Sequence, residues 1–186
     1  MVFLDGGLYA IILILHIIGT VVGVGAVTIT DYFHVIGLKK RKLEEKLLII
    51  YPILGKIILQ AIALVIITGT ILLANRPELI QSPLFQLKII LFVVILVNGF
   101  ILHRHVFPQV EKCVIKKRGT CPIHVLWISS ISGAISLTTW YGILILAFTK
   151  TYNYSVHVFL IYYFTAMMII FGIAYFKEKK ARIWKK

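Results

Sequence analysis

The sequence predicts an all-α fold: a polytopic membrane protein whose single domain, residues 1–186, is a bundle of five transmembrane helices, N-terminus outside and C-terminus inside. Three observations predict it. Hydrophobic residues make up 60% of the chain and charged residues only 15%, where a soluble domain carries about 45–50% and about 25%. Five apolar stretches reach the length, about 20 residues, that a helix needs to cross a bilayer. Basic residues crowd alternate connections between those stretches, as the positive-inside rule requires. The mean hydropathy of +0.95 excludes a soluble enzyme, a disordered chain and a nucleic-acid-binding module. The net charge of +13 is therefore read as membrane topology.

The spans run from Leu8 to Ile29, Leu47 to Ala74, Leu84 to Val106, Ile123 to Phe148 and Ser155 to Phe176. The first continues as Thr30-Asp31-Tyr32-Phe33-His34, and its helix is expected to pass the membrane surface. It carries only Asp5 before the apolar run and no basic n-region, so it does not read as a cleaved signal peptide. Asn75-Arg76-Pro77 stops the second span. Ser82-Pro83 opens the third, with the Ser82 side chain expected to cap and Pro83 at the first helical position.

Orientation follows from the cations. The first connection holds Lys39, Lys40, Arg41, Lys42 and Lys46, the third Arg104, Lys112, Lys116, Lys117 and Arg118. The C-terminal tail adds Lys177, Lys179, Lys180, Arg182, Lys185 and Lys186. The opposite side has Arg76 and Lys150 in its connections. Short loops of this kind suit a prokaryotic plasma membrane, with the lipid bilayer as the first partner. Cys113 and Cys121 fall on the inner side, where thiols stay reduced.

Ionisable groups inside a span are costly and are functional candidates by default. On the first span His16, Gly19, Thr20, Gly23, Val27, Thr30, Asp31 and His34 step by three or four residues along one face. Its Gly19-xxx-Gly23 spacing admits either a second helix or a flat ligand. His34, His103, His105 and His124 lie at inner helix ends, and His157 near an outer one. Asn98 and His105, seven apart, are expected to share a face. Lys56, deep in the second span, needs a partner such as Asp31, a carbonyl or an anionic ligand group. Lys88 opens the third span and can snorkel to the interface. The stripe Ser129, Ser132, Gly133 and Ser136 reads as close helix packing.

Three chemistries use these residues. Haem b needs axial imidazoles, small residues beside the ring and cations for its propionates. His16, His34, His103 and His124 are the preferred ligands, with His105 and His157 as substitutes. Gly19 and Gly23 would admit the ring, and Lys56 and Lys88 would meet the propionates. At 1.5 Å per residue, His16 lies about 5 Å outside its span's midpoint and His103 about 12 Å inside its own, which does not suit one iron. An inner haem would pair His103 or His105 with His34 or His124, and an outer one His16 with His157. A metal site would use His103, His105, Cys113, Cys121 and His124, although the Cys113-to-Cys121 spacing is not that of structural zinc. A cofactor-free transporter or channel would use Asp31, Lys56 and the histidines as a proton or ion relay, with a homodimer supplying missing walls. A structural or assembly subunit would leave all of them as packing. Hydrolase motifs are absent from the sequence.

The segment Leu15-His16-Ile17-Ile18-Gly19 with Gly23 and Gly25, the pair Thr68-Gly69, and Pro83-Leu84-Phe85-Gln86-Leu87-Lys88 resemble the small membrane proteins of the copper-resistance D and HemJ type. The resemblance spans roughly the first 105 residues. It implies haem b and, in the HemJ branch, oxidation of protoporphyrinogen IX, with His16 and Lys88 at matching positions. Gly23 stands where that family has a tryptophan, Asp31-Tyr32 where it has an arginine, and Asn98-Gly99 where it has a third-span histidine. The segment from Gly133 to Tyr141 is closer to uncharacterised prokaryotic membrane proteins. The reading taken forward is a haem b membrane protein in electron transfer, with a quinone or a redox protein as partner.

Overall fold

The computed structural model describes residues 4–40, 45–109, 112, 123–148 and 156–183. Apolar runs in lipid must satisfy their backbone groups internally, and helices do so. The chain forms α1 (Gly6–Lys40), α2 (Glu45–Asn75), a 3-10 turn (Pro77–Gln81), α3 (Pro83–Ile101), α4 (Ile123–Phe148) and α5 (Val156–Ile183). Five helical stretches are long and apolar enough to cross a membrane: Gly6–Phe33, Ile49–Asn75, Pro83–Gln109, Trp127–Ala147 and Val156–Ile173. Each predicted span has its counterpart, and α1 runs on to Lys40 as expected.

Helix ends follow local chemistry. Asp5 caps α1, its carboxylate accepting from the Leu8 N–H at 2.7 Å. Pro83 takes the first position of α3, but the Ser82 side chain makes no capping bond. Instead the Ser82 carbonyl accepts from the Phe85 and Gln86 N–H groups. The backbone closes that turn itself.

Beyond Ile101 the helix continues through a wide turn, Leu102–Val106, in which the Phe107 N–H reaches the Leu102 carbonyl five residues back. Such a π turn makes later residues lag behind the face they would hold on a regular helix. Asn98 is buried while His103, Arg104 and His105 are exposed. The shared face expected for Asn98 and His105 is lost through that lag.

The helices pack antiparallel. Leu4 N–H donates to Asn75 Oδ1 at 3.0 Å, the Arg76 guanidinium lies 5.1 Å from the Tyr9 ring centroid, and Gly19 rests on Leu64 and Val65. These contacts fix α1 beside α2. α4 then packs against α1, α3 and α5. Val24 and Val27 of α1, Ile95 of α3 and Trp140 of α4 form one buried cluster, which Ile58 and Ile62 of α2 join. Leu87 and Leu91 of α3, Leu146 of α4 and Phe159 of α5 form a second. α1 and α4 are the most enclosed spans and α5 the least, and the outward apolar faces of α2, α3 and α5 are available to lipid.

The tightest helix contact is Gly23 against Trp140. A Cβ on Gly23 would overlap the six-membered ring of the indole, and Trp140 is only 2% exposed, so the ring has nowhere to go. Gly23→Ala is expected to cost about 1–3 kcal/mol, read as a lowered midpoint of thermal unfolding in detergent. Trp140→Phe in the Gly23→Ala background should recover part of that loss, so the two effects will not add.

Candidate functional site

The polar face of α1 delivers two separate groups to the bundle, His16 toward one end and Asp31 toward the other. His16 is half-buried against α2. Its Nδ1 lies 3.0 Å from Thr68 Oγ1, and the ring also meets the Val65 backbone carbonyl. The Thr68 hydroxyl proton is already engaged, donating to the Leu64 carbonyl at 2.6 Å. Thr68 therefore accepts, Nδ1 carries the proton, and Nε2 keeps its lone pair. That is the tautomer a metal-binding imidazole needs, with the orienting bond behind it.

Gly69 makes this placement possible. A Cβ there would stand 3.2 Å from His16 Cε1, tighter than ordinary contact, so a side chain would push the ring off Thr68. The Lys88 ammonium, on the first turns of α3, is within electrostatic reach of the imidazole. His16 and the Thr68-Gly69 pair, far apart in sequence, meet here, with Lys88 within electrostatic reach.

Asp31 is half-buried and packs on α4 at Gly133. Its Oδ2 is enclosed without a hydrogen-bond partner, and its Oδ1 sits 3.0 Å from the position a Cβ on Gly133 would take. Between the two groups the face is filled: Gly19 by Leu64 and Val65, Gly23 by Trp140. Neither glycine offers a slot to a flat ligand.

The remaining predicted residues disperse. His103 and His105 are exposed beside the π turn, about 22 Å along the helix from Lys88. His105 borders a shallow depression with Val106, Gln109, Val125 and Ile128. His157 is exposed on the first turn of α5. His34 and His124 lie in α1 and α4, and their side chains, like Cys113 and Cys121, fall outside the described residues. Among the described residues no group of three or more His, Cys, Asp or Glu side chains could hold a metal ion.

Lys56 is exposed and makes no ion pair with Asp31. It follows Tyr51 by five residues, about 140° around a regular helix, and Tyr51 is the α2 side chain turned inward. The Ser129–Ser136 stripe packs as expected: Ser129 and Ser132 are buried, and Asn98 Nδ2 donates to the Ser132 carbonyl at 2.8 Å. Tyr51 was not among the residues singled out, because one tyrosine near a span end reads as an interfacial anchor.

Comparison with known proteins found no matching family model, no similar curated protein and no similar solved structure.

Nitrogen-15 NMR of the labelled imidazoles should show a His16 signal with Nδ1 protonated and Nε2 bare. Thr68→Val keeps the shape and removes the acceptor, and should return His16 to mixed tautomers. Unchanged spectra in that variant would contradict the assignment.

Proposed function

We propose that this is a multi-pass protein of a prokaryotic plasma membrane, N-terminus outside and C-terminus inside, that holds a b-type haem at His16 and works in membrane electron transfer. The orientation is supported by the basic segments. Antiparallel packing brings the helix ends that carry them to one end of the bundle.

The observation that carries the haem reading is the contact of His16 with Thr68-Gly69, with Lys88 within electrostatic reach, the same three points on which the resemblance to the copper-resistance D and HemJ type rests. The donor chemistry fits one axial position. Thr68 holds the Nδ1 proton, so Nε2 would be the nitrogen free to bind the iron, and Gly69 lets the ring lie against α2. Lys88 supplies a cation for a propionate. Gly19 and Gly23 take no part, since side chains of the same chain fill the space beside them. His157, on the same end of the bundle as Lys88, would be the other imidazole at that end.

Bound haem supplies a one-electron couple at iron, tuned by its axial ligand and the groups behind it. The residues here bind and orient. Thr68 fixes the imidazole, Lys88 balances charge, and a quinone or a redox protein would exchange the electron.

A reduced-minus-oxidised visible spectrum of the purified protein, with haem quantified per chain, tests the reading. A b-type signal is expected in the wild type and in His103→Ala and His105→Ala, and should disappear in His16→Ala. Lys88→Ala should weaken haem retention. A colourless protein from haem-replete cells would overturn the proposal. Reporter fusions should be active outside when joined to the N-terminus and inside when joined to Lys186.

A further inference from the structure

The other end of the α1 polar face holds a second set of unsatisfied groups that the haem reading does not use. Asp31 lies close to the end of the membrane stretch Gly6–Phe33, and Tyr51 close to the start of Ile49–Asn75. Both are therefore about half a turn inside the ends of these apolar stretches, on the side of the α1–α2 connection. Tyr51 is 9% exposed, and its hydroxyl is enclosed without a hydrogen-bond partner, as is Asp31 Oδ2. The phenol is within electrostatic reach of the carboxyl. Its ring stacks on Phe107, centroids 5.9 Å apart and planes 28° from parallel, which holds the hydroxyl in place. From α4, the missing side chain of Gly133 makes the room that Asp31 Oδ1 occupies.

Two enclosed oxygens on different helices lack a partner, and an unmet buried polar group is costly and an unmet charge more so. The candidates can be ranked by coordination. Calcium takes six to eight oxygens and magnesium a near-ideal octahedron, whereas the side chains here are one carboxyl and one phenol. Lys56 is turned away and exposed. A proton needs a single oxygen and removes the charge.

We propose that Asp31 is a buried proton-binding site, with Tyr51, whose enclosed hydroxyl is within electrostatic reach of the carboxyl, as its positioning residue. The groups around the site are consistent with this assignment. α2 brings Tyr51. α4 brings Tyr141, whose hydroxyl lies 3.1 Å from Thr28 Oγ1. His103, Arg104 and His105, after α3, are exposed, as is Tyr32 of α1. His34, also of α1, has its side chain outside the described residues. Placed near one membrane face, the carboxyl would take up and release its proton on the side of the α1–α2 connection. The site is separate from His16, since 15 residues of helix put them about 22 Å apart.

Infrared difference spectroscopy of the full chain in lipid vesicles tests this. The wild type at neutral pH should show the carbonyl stretch of a protonated carboxyl group, moved to lower frequency in D2O. Asp31→Asn, close in shape, should remove that band. Tyr51→Phe should keep the band but shift its frequency, because it removes the phenol dipole within electrostatic reach of the carboxyl. His16→Ala should leave it intact, which separates this site from the haem reading. The proposal is overturned if Asp31→Asn removes no protonated-carboxyl band. It is equally overturned if Tyr51→Phe leaves the frequency unchanged, or if sodium at constant pH replaces the band with a carboxylate signal.

Discussion

The contact between Gly23 and Trp140 organises the bundle. Lipid tails are as apolar as leucine, so burial gives helices little reason to associate, and close packing has to do so instead. A glycine on α1 lets the flat indole of α4 lie on its backbone. Val24, Val27 and Ile95 close around the same ring. With α1 and α4 locked, α2 has a fixed partner in α1, and α3 and α5 fill the other flanks of α4. Moving this contact by one turn would separate Asp31 of α1 from Gly133 of α4.

The threonines of the bundle follow the same constraint. Thr20, Thr28, Thr30, Thr68, Thr138 and Thr139 each donate to a carbonyl four residues back. A hydroxyl in lipid meets its need within its own helix, and its oxygen stays free to accept. Thr68 uses that spare capacity to hold His16, and Thr139 Oγ1 lies 2.9 Å from the Tyr163 hydroxyl. His16 and Asp31 differ from these because their needs are not met locally. His16 borrows from α2 and keeps a lone pair, while Asp31 Oδ2 is left without a partner. Both proposals grow from that difference.

The π turn after Ile101 separates the described histidines of α3 from the core. Leu102 and Val106 stay inside and pack with Val125, while the three basic side chains between them are turned out. An inner haem pair built on His103 or His105 would need the opposite arrangement.

Span positions and the polar face of α1 were legible in the linear chain. Apolar run length, loop charge and a step of three or four residues are all properties of one helix. Which neighbour each position meets is not such a property. Gly19 and Gly23 lie on one face four residues apart, yet the first is covered by α2 and the second by α4, and neither admits a ligand. Lys56 and Asp31 lie in the same half of the bundle but do not face each other, because the rotation of α2 turns Tyr51 inward in place of the lysine. The contacts of His16 with Thr68 and Gly69, and of Asp31 with Gly133, depend on the rotation and axial offset of several helices at once. Those quantities are set by side-chain packing between helices, which no single helix encodes.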